Sequence, residues 1–534
     1  MSKIILPNTG VASMTRRSAL GLLGGASVAA LGGMSLIGSA PAFGSMTSTG
    51  RTYTPAVKGG KLTMAVSGGS TTDSLDPATY NEIYIGTVGH AVANNLVEIG
   101  PDRTPIPELA TSWESSDGAK RWVFNIRQGV TFHNGKPLTP ADVVYSLNRH
   151  LGESSTSIAK GVLAGVTSIT AKDNSVIITH ETGDADMPVI LGDYHLQIVP
   201  EDFRDWGKMI GTGAYMVEEF EPGVRFRGRR NPNYWKADRG WVDEVEVLFL
   251  ADAIARTNAL ISGEVMIIDR VDTKIVDRLK SISKFQLIEG QGGRYATSVM
   301  DVRTPTFADK NVRLAIKYGV DRQAIVDRVF QGYASLGNDH PIPSVDPFHH
   351  SELKQRTYDP DKARFHLKEA GLEKLDISLS TADAAYPGAV DTAVLMKEAG
   401  KAAGININVV REPNDGYWSN VWMKKPYCIS NWTTRPTPGM MFQVAFACGT
   451  PWAEAFWCHE KFEQLMLAAK VETDFAKRKQ MYWDMQEIVH MDGGNSIFAF
   501  ATELDAYADN VQGPAADGAD RMMGGRAIER VWLA

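Results

Sequence analysis

Apolar residues recur along this chain at two spacings, and the change from one to the other marks out its elements. Lys61-Leu-Thr-Met-Ala-Val66 reads as a buried strand that opens into the polar run 67–74 and then Leu75-Asp76-Pro77. Loops at the carboxyl end of a strand are where open α/β sheets bind ligands, so Ser67 is a candidate contact. Trp122, Phe124 and Ile126 alternate with more polar residues, as a half-buried strand does, and 175–179 repeats the pattern. Between them Asn134-Gly135 is a turn signal. Thr139-Pro140-Ala141-Asp142 then opens a helix with a capping residue, a proline at the first position and an acid in the first turn.

Further on the spacing predicts a strand over 245–249 and a helix over 253–261. Residues 307–333 read as two helices, the second capped by Asp321 and stopped by Gly332. Asp359-Pro360-Asp361 opens another helix, with Gly371 as its stop. The strand 377–380, the helix 392–403 and the alternating Ile405, Ile407 and Val409 form a βαβ unit, so this region has a sheet of its own. Arg225 to Arg230 is expected on a solvated hairpin face.

At 534 residues, 43% hydrophobic and 22% charged, the chain is long enough for two or more cores. Its formal charge is −7, and residues 1–42 hold three basic residues and no acid, so the remainder is more acidic still. An acidic protein with dispersed basic residues is a poor nucleic-acid binder. Arg16-Arg17 stand directly before the Gly/Ala-rich apolar run 20–37, and Ala40-Pro41-Ala42 follows. This is the pattern of a twin-arginine export signal over 1–42, with an ordinary secretory signal as the alternative. A flexible lead-in follows at 43–60, and the expected location is the periplasm of a bacterium with two membranes.

Cys448 and Cys458 flank a nine-residue loop, which suits a disulfide in an oxidising compartment worth about 2–3 kcal/mol. Cys428, in an apolar neighbourhood, is expected to be a buried free thiol. No HExxH, GxSxG or Cys/His metal spacing is present. The flanking glycines of Gly211-Thr212-Gly213 lack the lysine of a phosphate-binding loop. These absences argue against an exported enzyme, and no cofactor or metal ligand is expected.

Six blocks in order carry a family resemblance. They are Trp113-Glu114; Phe132-His133-Asn134-Gly135-Lys136-Pro137-Leu138 with Ala141 to Ser146; Gly211 to Tyr215; Asn231-Pro232-Asn233-Tyr234-Trp235; Asn311 to Ile316 with Val320-Asp321-Arg322; and Asp359-Pro360 through Ala370-Gly371. Together they resemble the peptide/nickel class of ABC-transporter solute-binding proteins, over about residues 60–525. The tract Trp457-Cys458-His459-Glu460 is similar to the dipeptide-binding branch, where an equivalent cysteine pair is bridged.

The resemblance implies an α/β, two-lobed Venus-flytrap fold with an extra domain inserted in the first lobe. Lobe 1 is expected at 61–112, 195–293 and 502–534, the insert at 113–194 and lobe 2 at 294–501. Crossings are expected near 293–297 and 498–502. The partners implied are a small-molecule ligand and the transmembrane subunits of an ABC permease, with the protein a monomer that closes on its ligand.

The departure from the family pattern concerns the ligand. Dipeptide relatives carry an aspartate after a Trp-Thr-Gly tract, which pairs with the peptide ammonium; here Trp432-Thr433-Thr434 is followed by Arg435. Arginine pairs with carboxylate or phosphate and not with ammonium. The ligand expected from this is an anion: a polycarboxylate, free or as a metal chelate, or an acidic amino-acid conjugate, with an ordinary peptide as the alternative. Arg435 would clamp a carboxylate, Trp432 would pack on the carbon skeleton, and Tyr80 or Tyr295 would donate hydrogen bonds. Tyr80 matches a site tyrosine of the nickel branch, three residues past its Leu-x-Pro block. Arg294, Tyr386, Tyr417 and Trp418 are further candidates. The competing expectations are an ion pair for Arg435 and core packing for Trp432.

Overall fold

The computed structural model describes residues 58–513 and 521–534. The signal expected at 1–42 and most of the lead-in lie outside the described residues. The strands that build the site are β1 (Lys61–Val66), β2 (Glu244–Phe249), β3 (Ile267–Ile268), β4 (Phe285–Met300), β5 (Leu375–Thr381), β6 (Ile405–Arg411), β7 (Tyr427–Thr433) and β8 (Asn495–Ala508). All belong to one 11-stranded sheet, in the order β6-β5-β7-β4-β8-β3-β1-β2 followed by the hairpin of Arg225–Arg230 and Tyr215–Glu221.

β4 and β8 are long because they serve both halves of the molecule. Phe285 to Gly290 pair with Glu503 to Ala508, next to β3. After a register shift between Gly290 and Arg294, β4 continues between β8 and β7. The neighbours of the two crossing strands therefore change over at 290–294 and 501–503. Gly292, at φ +78°, supplies a backbone that other residues adopt at a cost, and a Cβ there would meet Pro343 at 2.7 Å.

Each half buries its own core. Tyr80, Val88, Tyr215, Val247 and Ile528 meet in the first half, with a satellite around Leu260 and Leu279. Ile316, Leu379, Met396, Ile407, Ile429 and Phe442 meet in the second. A third core, around Trp122, Phe124, Leu147 and Ile178, lies under a separate antiparallel sheet of four strands within 110–180. The helix Pro140–Asn148 covers it. Thr139 donates its backbone N–H and its hydroxyl to Asp142, at 2.8 and 2.7 Å, which closes the helix start that the sequence predicts.

The extra layer also holds the second half. Asp186 accepts from Arg478 at 2.6 Å and from the Thr437 hydroxyl at 2.7 Å, all three buried. Segment 154–160 meets the first half instead: the Ile158 N–H donates to the Ala78 carbonyl at 3.1 Å.

Local expectations and structure differ mainly at element ends. The helix predicted over 392–403 runs Ala389–Ala402, because Gly388, at φ +88°, turns the chain into it three residues earlier. The arginines of Arg225–Arg230 pair with Glu219, Glu246, Glu218 and Asp243, as a charged hairpin face does. Gly211 and Gly213 let the chain press on the backbone of Val92, so their role is packing. Among the described residues no helix is long and apolar enough to cross a membrane.

Candidate functional site

Strand direction places the site. β1, β2 and β3 are mutually parallel, and β3 is antiparallel to β8, so all three run toward the crossing. β5, β6 and β7 are parallel in the same way, and β7 is antiparallel to β4, so these also run toward the crossing, from the other side. Two sets of carboxyl-terminal strand ends therefore face one another across the crossing strands, the position where open sheets bind ligands. From the first half these ends deliver Ser67 and Asp269-Arg270; from the second they deliver 381–386, 411–418 and Thr433-Thr434-Arg435.

Arg435 is half-buried, and among the described residues it forms neither an ion pair nor a hydrogen bond. Burial pulls its guanidinium below the usual arginine value, with Tyr295 acting against the shift. Tyr295 stands opposite Trp432 in the β4–β7 register and is fully buried. Among the described residues its hydroxyl has no hydrogen-bond partner, and burial holds its pKa well above the usual value. A half-buried cation and a buried donor, neither with a partner among the described residues, therefore lie together near the end of β7.

Beside them runs a row of indoles. Trp418 and Trp422 lie 5.9 Å apart, Trp422 and Trp432 6.3 Å, and Trp432 and Trp452 6.3 Å. Trp432 is only 8% exposed and is largely core packing, whereas Trp418 and Trp452 are 43% and 49% exposed. Buried Glu454 anchors the row, accepting from the Trp422 indole, the Ser430 hydroxyl and Asn495 at 2.6, 2.8 and 2.7 Å. Glu454 and Trp452 both sit in the loop closed by the Cys448–Cys458 disulfide, whose Cα atoms are 4.9 Å apart. Cys428 is a buried free thiol, which burial pushes well above its ordinary pKa.

Three of the expected tyrosines are core residues with engaged hydroxyls. Tyr80 donates to the Leu75 carbonyl at 3.1 Å, Tyr386 to the Thr392 hydroxyl at 2.9 Å, and Tyr417 to the Ile429 carbonyl at 2.8 Å. Ser67 stands at the predicted strand end but gives both its N–H and its hydroxyl to Asp269. Arg294 lies 3.9 Å from Glu503, a loose and partly exposed pair.

Arg270 and Trp452 were not foreseen. The only sequence signal for Arg270 is its place directly after a short apolar run, and Trp452 is marked only by lying between the two bridged cysteines.

The described carboxylates that come close enough to share a cation are Glu98, Glu108 and Glu529. Cations of the protein already fill that cluster. Lys236 reaches Glu98 and Glu108 at 3.0 and 2.7 Å, Arg526 reaches Glu108 at 2.9 Å, and Arg530 reaches Glu98 at 2.7 Å. These charges hold Glu98 and Glu529 well below the usual carboxylate range and pin the C-terminal segment to the first half.

Comparison with known proteins places this geometry. The family model for bacterial extracellular solute-binding proteins, family 5, middle region, matches residues 104–454. The dipeptide-binding protein of Escherichia coli is 26% identical over 472 residues, covering 79% of this chain and 86% of that protein. Heme-binding protein A of Haemophilus influenzae is 27% identical over 373 residues, covering 64% and 65%. The solved structure of HbpA2 from Haemophilus parasuis superposes with a TM-score of 0.80 at 22% identity, over 89% of this chain and 100% of that one. The sheet that changes partners at the crossing, the extra four-stranded layer and the match to two thirds of the sequence agree: this chain belongs to the bacterial extracellular solute-binding proteins of family 5, the ligand-binding components of ABC transporters.

Proposed function

We propose that this protein captures a small anionic ligand in the periplasm and delivers it, closed between its lobes, to the membrane subunits of an ABC importer. The relatives above are named for different ligands, a dipeptide and haem, so family membership leaves the ligand open and the site's own residues carry the reading. The observation that carries it is Arg435: a half-buried guanidinium at the end of β7 without an acidic partner, where a peptide binder needs a carboxylate. The ligand class is a polycarboxylate, free or as a metal chelate, or an acidic amino-acid conjugate. Arg435 binds a carboxylate as a fork, the Tyr295 hydroxyl donates beside it, and the exposed indoles of Trp418 and Trp452 cover the carbon skeleton. Export through a twin-arginine signal and action as a monomer complete the proposal.

Closure follows from affinity. A ligand stabilises the closed state only by binding it more tightly than the open one. An anion that satisfies Arg435 only when water is excluded does so.

The test is thermal unfolding of the mature protein with polycarboxylates, with and without divalent metal, beside di- and tripeptides. A ligand at about 100 times its Kd adds about 2.7 kcal/mol. Stabilisation by polycarboxylates, abolished in Arg435→Asp, supports the reading. Stabilisation by neutral peptides alone, or an Arg435→Asp variant that binds as before, replaces it with an ordinary peptide-binding role.

A further inference from the structure

Arg270 repeats on the first half what Arg435 does on the second. It follows β3 directly, at the carboxyl end of a strand that runs toward the crossing. Its φ is +48°, a left-handed backbone that costs a side-chain-bearing residue about 1 kcal/mol or more. The surroundings hold it in that conformation. Buried Arg256 donates to the Asp269 carbonyl at 3.2 Å and to the Arg270 carbonyl at 3.5 Å, while the Val271 N–H donates to the Leu504 carbonyl at 2.8 Å.

The acids around Arg270 are engaged elsewhere. Asp269 is taken by Ser67 and by Arg256 at 3.2 Å, with Arg521 at 3.7 Å. Glu503 lies between Arg521 at 3.8 Å and Arg294 at 3.9 Å. Glu82 is exposed and forms no ion pair with Arg270. Among the described residues Arg270 itself makes no side-chain hydrogen bond or ion pair, and its Nε is buried without a partner. Burial and the charge of Arg521 pull its guanidinium below the usual arginine value, against the pull of Asp269, Glu503 and Glu82.

We infer that Arg270 and Arg435 bind the two ends of one ligand, which therefore carries two separated anionic groups, as a linear dicarboxylate does. This rests on the proposed anionic ligand and adds its valence and the residue that reads it. The arrangement also explains closure. Among the described residues the strand ends of each half present one half-buried guanidinium without a partner, Arg411 at the end of β6 being exposed, so a dianion is satisfied at both ends only when the halves come together, and a monoanion is not. The ligand's differential affinity for the closed state then comes from its second charge.

The experiment is calorimetric titration of the purified mature protein with linear α,ω-dicarboxylates from succinate to suberate and with the monoamide of each. The wild-type protein is expected to prefer one dicarboxylate over its own monoamide. In Arg270→Gln that dicarboxylate should bind at least about thirty-fold more weakly, while the monoamide is unaffected, so the preference disappears. Arg270→Lys should retain part of it. Arg270→Asn, whose residue type tolerates positive φ, repeats the test if the glutamine variant loses its thermal transition. The inference is overturned if the wild type binds none of the dicarboxylates, if it does not distinguish diacid from monoamide, or if the Arg270 variants bind both as before. Loss of both ligands in Arg435→Gln with silent Arg270 variants removes this inference and leaves the anion reading standing. A silent Arg435→Gln removes the anion reading itself.

Discussion

The Thr434 hydroxyl donates to the carbonyl oxygen of Gly292 at 2.7 Å, and the Thr434 N–H donates to the Gly293 carbonyl at 3.1 Å. The residue before Arg435 is thus tied to the crossing where the sheet changes partners. If Arg435 holds the ligand as proposed, these bonds couple the ligand to the crossing. Thr434→Val removes the hydroxyl bond at near-constant shape and should cost about 1 kcal/mol. Ligand affinity should fall about five-fold, read by titration, with hydrogen exchange at 290–294 rising. An unchanged exchange pattern would separate the two.

The Cys448–Cys458 bridge closes the loop that holds Trp452 and Glu454. The double variant Cys448→Ser, Cys458→Ser should unfold with about 2–3 kcal/mol less free energy, measured by denaturant titration. Reducing agent should do the same to the wild type and nothing further to the variant.

Asp186 and Arg478 form a buried pair between the extra layer and the second half, 2.6 Å apart with side chains 7% and 8% exposed. Asp186→Ala leaves the arginine buried without its partner and should destabilise by about 3–5 kcal/mol. Adding Arg478→Met should recover most of that loss. A double variant as unstable as the single one would mean that the Thr437 bond, and not the charge pair, holds the contact.

Burial lifts Asp346 to about 6 from an ordinary value of 3.8. Its folded pKa is raised, so the folded state binds the proton more tightly, and ionisation above pH 6 costs up to about 3 kcal/mol of stability. Asp346→Asn keeps the acceptor for the Phe348 N–H, which lies at 2.9 Å, and removes the charge. The variant should be more stable than wild type at pH 7.5. The difference should shrink as the pH falls from 6 to 4, followed by thermal midpoint. A difference independent of pH would show that Asp346 does not titrate in this window.

Much of the fold is legible because its signals are local. The strand 61–66, the capped helix at Thr139-Pro140, the paired helices with Asp321 between them, and the βαβ run to Val409 are each set by neighbouring residues competing for the same backbone bonds or the same apolar face. The Arg435 candidate could be named for the same reason, since it stands where an acid is expected within a recognisable tract. The tyrosines were not legible in this way. Nothing near Tyr80, Tyr386 or Tyr417 in sequence states whether a large ring fills the core or lines the wall, because burial is decided by what packs on it from far away.

By its own pattern, then, the chain determined its α/β class, its order of elements, its cysteine loop and the arginine that departs from the family. Only the tertiary structure decided which cations stay unpaired. Arg270 stands among Asp269, Glu503 and Glu82, and whether those acids belong to it depends on Ser67, Arg256, Arg521 and Arg294, which approach from four distant stretches of chain. Charge pairing is settled over a few ångströms in space, and a sequence orders residues only along the chain.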